Sequence, residues 1–203
     1  MRKPSAERKE QILMTALRLA DELGPDRLTT GAVAEAIGVS QPAIFRHFPT
    51  KQALWLAVAQ KIRQHMAAGW QEALSAVTVP EKRIAAVIDI QLRTIELHPA
   101  IPAILFSREL QVENLDLRRT FAGLLAAFHQ ILSEELDRGR KAGVFRADVD
   151  PADGAVLLIS LVQGLAIRWS LGARGFELRP EGARLLAVQL GLFSALPRKE
   201  DRT

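Results

Sequence analysis

Apolar residues recur along this chain at three- and four-residue steps, and no stretch alternates strictly between apolar and polar positions. That is the signature of helices rather than strands. Ile12, Ala16, Leu19, Ala20 and Leu23 share one face of a helix over residues 6–23, and Gly24-Pro25 ends it. Thr29 can cap a short second helix through about Ile37. After the turn Gly38-Val39-Ser40, Ser40 can cap a third helix, with Pro42 tolerated in its first turn. Pro49-Thr50 ends that helix, and Thr50 caps a fourth.

In the fourth helix Leu54, Val58, Ile62, Met66, Trp70 and Leu74 recur at strict four-residue steps. Each step overshoots a full turn by about 40°, so over five steps the stripe rotates by about 200°. Such a helix can enter two cores, and it is expected to connect an N-terminal domain to a C-terminal one. Further helices are expected from Pro80 to Leu97, from about Pro99 through "HPAIPAILFSRELQ", from Asn114 to near Gly143, from Pro151 to Gly172, and from Pro180 to Leu196. The total is nine, an all-α chain. Residues 1–50 form one domain, residues 51–203 a second, and the helix over 51–75 connects them. Residues 197–203 read as a frayed tail.

Composition narrows this picture mostly by exclusion. The 203 residues include no cysteine, which removes disulfides and thiolate metal sites and agrees with a cytoplasmic location. The opening "MRKPSAERKEQ" is basic but lacks the apolar core of a secretion signal. The longest apolar run, Ala155–Ile167, has thirteen residues, interrupted by Ser160 and Gln163. A bilayer span needs roughly 20, so this run reads as a buried helix. Charge is more telling in its distribution than in its sum. Residues 1–63 hold ten Lys/Arg against six Asp/Glu, while residues 64–203 hold seventeen of each. The net charge of +4 therefore sits in the N-terminal third, where a polyanionic partner would bind.

The same third carries the informative motif. A short helix, a glycine-containing turn and a second short helix form a helix-turn-helix, whose second helix enters the DNA major groove. Val33, Ile37, Val39, Ile44 and Phe48 are the expected inner face. Gln41, Ala43, Phe45, Arg46 and His47 are the expected outer one. Arg46 suits a phosphate or guanine, Gln41 a base edge, and Ala43 and Phe45 thymine methyls. Thr29, Thr30 and Lys51 stand at helix starts, where hydroxyl and N–H groups suit a phosphate.

The stretch "RLTTGAVAEAIGVSQPAIFRHFPTKQALW", residues 27–55, resembles the TetR family of bacterial transcriptional regulators. The resemblance covers roughly residues 8–60. It implies an all-α homodimer with three DNA-binding helices and a C-terminal bundle that dimerises and holds a small molecule. It also implies DNA contacts at Thr29, Thr30, Ser40, Gln41, Pro42, Ala43, Phe45, Arg46, His47 and Lys51. Phe45 stands where relatives usually carry a tyrosine that bonds a phosphate, and Gly31 where they often carry a basic residue. Affinity should then lean on Arg46, His47 and Lys51, or on Arg2, Lys3, Arg8 and Lys9. By themselves, Arg8 and Lys9 read as a solvated helix face.

Toward the C-terminus, the resemblance makes the last two helices a subunit interface through Leu157, Leu161, Gly164, Leu165, Leu185, Leu186, Leu192 and Phe193. Candidate pocket residues are Met66, Trp70, Gln91, His98, Phe106, Phe128, Gln163 and Trp169, a mostly apolar set suited to a hydrophobic or amphipathic effector. Arg93, Arg108 and Arg168 keep a carboxylate ligand open. The expected function is a sequence-specific regulator, a repressor released from a palindromic operator by a small molecule. A DNA-binding dimer controlled by a partner, or architectural, is the alternative. An enzyme is disfavoured: histidines 47, 65, 98 and 129 lack metal-ligand spacing, and no phosphate-cradling loop or nucleophile elbow is present. No cofactor or metal is expected.

Overall fold

The computed structural model describes residues 4–195. Among them are ten α-helices and no strand, with one isolated antiparallel bridge between Phe145 and Ser194. The helices are α1 (Ser5–Leu23), α2 (Thr30–Ala36), α3 (Gln41–Phe45), α4 (Lys51–Ala76), α5 (Pro80–Leu97), α6 (Ala100–Phe106), α7 (Arg108–Glu113), α8 (Leu115–Lys141), α9 (Pro151–Leu171) and α10 (Leu178–Phe193). Arg2, Lys3, Leu196 and the expected tail lie outside the described residues.

The tenth helix arises from a break that the sequence pattern hid. The expected single helix after Pro99 divides at Ser107, whose backbone is extended, with φ −66° and ψ 108°. The Ser107 side-chain oxygen accepts from the Leu110 amide at 3.1 Å, which starts α7. Its hydroxyl donates to Asp26 Oδ1 at 2.6 Å. A buried serine with two such partners stabilises the kink. Two other boundaries shift: α10 starts at Leu178, with Pro180 inside its first turn, and stops at Phe193.

The chain forms two compact units. One takes in the chain up to His65 together with Ile95–Leu124, and the other Met66–Thr94 and the chain from Leu125 on. In the first, α1 packs on α2 and α6, and α2 on α3. Its buried residues include Ile12, Ala16, Leu28, Val33, Ile44, Leu54, Trp55 and Val58. Three polar links tie the helix starts down. Lys51 Nζ donates to the Asp26 carbonyl at 2.9 Å. Asn114 Nδ2 donates to the Gln52 carbonyl at 2.9 Å, and Ser107 holds the Asp26 carboxylate.

In the second unit, α9 packs on α10. Trp70 stacks on Phe128, ring centres 5.1 Å apart and planes 13° from parallel. Gly182 lets α10 approach α5, since a Cβ there would fall 2.2 Å from Leu92 Cδ1. Arg179 grips Asp89 through two hydrogen bonds of 2.8 Å. Arg83 donates to the Leu74 carbonyl in the last turn of α4 and to the Val77 carbonyl just beyond it, and its Nε faces the Glu135 carboxylate at 2.8 Å.

Of the α4 stripe, Leu54, Val58 and Ile62 are buried in the first unit and Met66 and Trp70 in the second, while Leu74 is half-buried. Expectation and structure part at α9. At 21 residues it is long and apolar enough to cross a membrane by length and composition, yet only 44% of the apolar window is buried. The interior reading therefore holds for one face only. Leu157, Ser160, Gly164, Ile167 and Leu171 lie at alternating three- and four-residue steps and are all exposed, Leu171 by 83%.

Candidate nucleic-acid interface

The α2–α3 pair forms because its local chemistry permits nothing longer. Thr29 is extended, and its hydroxyl oxygen accepts from the Ala32 amide at 3.1 Å, capping α2. Gly38, at φ +68°, occupies the left-handed region that turns the chain. Pro42 sits in the first turn of α3, where its missing N–H is harmless. Ser40 occupies the cap position of α3 but makes no side-chain capping bond there, contrary to expectation. Thr50 does cap α4, accepting from the Ala53 amide at 3.0 Å. Val33, Ile44 and Phe48 are buried as the inner face, while Ile37 and Val39 are half-buried.

The candidate contacts divide by what they touch. Ser40, Gln41, Pro42, Phe45 and Arg46 are exposed, Phe45 by 41%. Arg46 caps the end of α3, and its guanidinium has no partner among the described residues. Thr30 is buried, and its hydroxyl oxygen accepts from Gln41 Nε2 at 2.9 Å. Thr30 thus orients Gln41 from behind. Lys51 is half-buried and already holds the Asp26 carbonyl, which leaves its two other N–H groups for an anion.

Ala43 and His47 face a cleft rather than open solvent. Ser5, Arg8 and Ile12 of α1 line it on one side, and Val39, Ala43, Ile44, Arg46 and His47 on the other. It measures about 310 Å³ and has no carboxylate in its wall among the described residues. Burial holds the His47 pKa below its ordinary 6.5, and the cations Lys9, Arg46 and Arg8 push it the same way. Ser5 is the residue the sequence reading missed, and Arg8, named there only as one of the basic N-terminal residues, is placed in the cleft wall: a helix-face pattern carries no sign of where α1 lies against α3.

In the second unit the exposed apolar stripe of α9 is matched on α10 by Val188, 56% exposed, and Leu192, 64% exposed. Of the interface candidates, Leu157, Gly164 and Leu192 are exposed, Leu161 and Leu185 half-buried, and Leu165, Leu186 and Phe193 buried within the protomer. The pocket candidates also divide. His98 and Phe106 belong to the first unit, where the His98 ring stands edge-on to His65, centres 6.5 Å apart. Met66, Trp70, Gln91, Phe128, Gln163 and Trp169 belong to the second. There the Trp70 indole N–H and the Gln91 carbonyl oxygen are buried without a hydrogen-bond partner, and the Trp169 N–H donates to the Phe176 carbonyl at 3.0 Å.

Comparison with known proteins agrees with this geometry. A family model described as bacterial regulatory proteins, tetR family, matches residues 12–58. A second, described as BetI-type transcriptional repressor, C-terminal, matches residues 80–190. The nucleoid occlusion factor SlmA of Aliivibrio fischeri (strain MJ11) is 30% identical over 173 residues, covering 83% of this chain and 85% of that protein. A solved putative transcriptional regulator from Saccharomonospora viridis in complex with choline superimposes with a TM-score of 0.82 at 23% identity, covering 92% of this chain and 97% of its own. The regulator FadR from Bacillus subtilis in complex with stearoyl-CoA gives 0.75 at 19% identity, covering 89% and 97%. The two structures share the fold.

Proposed function

Because the chain belongs to the TetR family and is a DNA-binding transcriptional regulator, we propose that it acts as a dimeric repressor on a palindromic operator and is released by a small molecule. The observation that carries the DNA half is the exposed face of α3 and its C-cap, where Gln41, Phe45 and an Arg46 without a partner among the described residues stand together. Gln41 reads a base edge, Phe45 packs on a thymine methyl, and Arg46 binds guanine or a phosphate. Ser40, Thr29 and Lys51 contact phosphates around it. Such a protein works in the cytoplasm, with the DNA.

The apolar stripe of α9 and α10 supports a two-fold dimer. Ser160 and Gly164 let two copies of α9 approach closely, and Leu157, Leu171, Val188 and Leu192 close over them. A two-fold dimer presents two recognition helices to half-sites roughly 34–36 Å apart. An effector that prefers a state with another spacing weakens DNA binding, and DNA weakens the effector in equal measure. Trp70, Phe128 and Gln91 support a mostly apolar site with a few polar groups, which suits an amphipathic compound. The choline and stearoyl-CoA bound by the two solved regulators differ too much to choose between them.

The nucleoid occlusion factor at 30% identity favours a second reading, a DNA-binding dimer whose output is set by a partner. One assay addresses both: a gel shift, at stated salt, against the DNA upstream of the protein's own gene, with Arg46→Ala alongside. Specific retention by the wild type and loss in the variant supports the α3 assignment. Candidate compounds are then added to the shifted complex. If none releases it, the partner reading gains. If the wild type prefers no sequence, even from a random duplex pool, the regulator reading fails.

A further inference from the structure

Among the described residues, the side chains that line the α1–α3 cleft around its imidazole are all cationic or neutral. From α1 it meets the charges of Arg8 and Lys9, and from α3 that of Arg46. Among the described residues, Ser5 is the only other polar one in the wall, and no acidic side chain lines it. Arg8 Nη1 donates to Gln11 Oε1 at 3.0 Å, which uses one of its five N–H groups. The His47 ring and the Arg46 guanidinium have no partner among the described residues. Two guanidiniums, an imidazole and a hydroxyl thus converge on one recess without a counter-ion. The Ile12, Val39, Ala43 and Ile44 side chains that complete the wall are apolar.

Resting on the reading above, we propose that this cleft holds one DNA phosphate and that seating it loads a proton onto His47, so that DNA binding is driven by acid. The free protein keeps His47 neutral, because a fourth positive charge beside Arg8, Lys9 and Arg46 is repelled. A phosphodiester carries one negative charge at any physiological pH and cancels that repulsion. The imidazole then takes a proton from solvent and donates a charge-assisted hydrogen bond to the phosphate oxygen, and the phosphodiester itself stays unprotonated. Arg8 and Arg46 hold the same group from either side, so Arg8 becomes a phosphate ligand rather than part of a solvated helix face.

Linkage sets the size of the effect. A complex that binds one more proton than its parts gains up to about tenfold in affinity for each unit that pH falls, and a dimer with two such clefts up to about a hundredfold. The lower edge of the window lies below the ordinary histidine value of 6.5, since the free-protein value is depressed, and its upper edge is set by the raised value in the complex.

The test uses the full-length protein and a duplex that the wild type itself selects from a random pool. Affinity is measured by fluorescence anisotropy at constant ionic strength from about pH 5 to about pH 8. Calorimetry in two buffers of unlike ionisation heat counts the protons taken up. Wild type is expected to tighten at least tenfold toward acid and to absorb protons on binding. His47→Gln should show a flat profile, and Arg8→Gln weaker binding with its slope displaced to higher pH. A flat wild-type profile without proton uptake overturns the proposal while leaving the regulator reading intact. So does a His47→Gln profile that keeps the wild-type slope. A wild type that retains no duplex overturns both. Calorimetry on the wild type needs no variant, so a poorly folding substitution does not spoil the test.

Discussion

Replacing Arg83 with alanine tests how the second unit closes over the end of α4. Glu135 is 3% exposed, and two cations reach its carboxylate. Arg83 Nε faces it at 2.8 Å, as an ion pair rather than an aligned hydrogen bond, and Arg138, half in solvent, stands 3.6 Å away. Removing one partner of a buried pair costs about 3–5 kcal/mol, because the other charge is stranded. Arg138 offsets part of that loss, which favours the lower end, about 3 kcal/mol. The Leu74 and Val77 carbonyls also lose their charged donor. Water can replace it at the partly open edge, so about 1 kcal/mol is a fair addition. The expected total of about 3–4 kcal/mol lowers Tm by about 6–16 °C in a chain of this size. Differential scanning calorimetry reads it directly. The double variant Arg83→Met, Glu135→Leu removes both charges and should recover most of the loss. A drop below about 2 °C for Arg83→Ala, or a double variant no more stable than the single one, would refute the reasoning.

Four other outcomes are expected. Gly31→Ala should raise stability by about 0.5–1 kcal/mol in urea denaturation, because a Cβ there meets Thr29 Oγ1 at an ordinary 3.7 Å. Val188→Asp with Leu192→Asp should give monomers in size-exclusion chromatography with light scattering while keeping the helical circular dichroism, and unchanged dimers would exclude that face. Asp26→Ala leaves the Ser107 hydroxyl without its acceptor and should lower stability by about 1–3 kcal/mol, read as a shift in the urea midpoint. His98, like His47, is held below 6.5, by burial first and then by His65 and Lys61. The unfolded chain therefore binds more protons, and stability falls as pH drops below about 6.5. His98→Gln should flatten part of that fall in Tm measured against pH.

Much of the fold was legible in the sequence because it is written in local periodicity. The caps at Thr29 and Thr50, the helix start at Asn114 and the rotating stripe of α4 depend on residues within a few turns of each other. The break at Ser107 was hidden because its stabilising partner, Asp26, is 81 residues away. Serine inside an apolar stretch looks like an ordinary helix position until that partner is placed. The exposed face of α9 escaped for a related reason. Composition says that a helix is apolar all round, but not which side its own protomer leaves uncovered. At the site, the outward set of α3 could be read from spacing. The convergence of Arg8 on His47 could not, since it depends on how α1 crosses α3. The role of Thr30 was also out of reach, because an exposed-looking threonine at a helix start gives no hint that it is buried against Gln41.

The bond between Thr30 and Gln41 has a bearing on how such a protein can change its target. A free glutamine loses about 1.5–2 kcal/mol of side-chain entropy when it is fixed against a base. Here the Thr30 hydroxyl has already restricted the amide during folding, so less freedom remains to be lost at the operator. The same restraint makes position 41 a poor place for a solitary substitution. A new side chain there forfeits its tether and leaves a buried hydroxyl without its donor. Divergence toward another base preference should therefore move positions 30 and 41 in step, and the two ought to covary among descendants of this chain as one inherited unit.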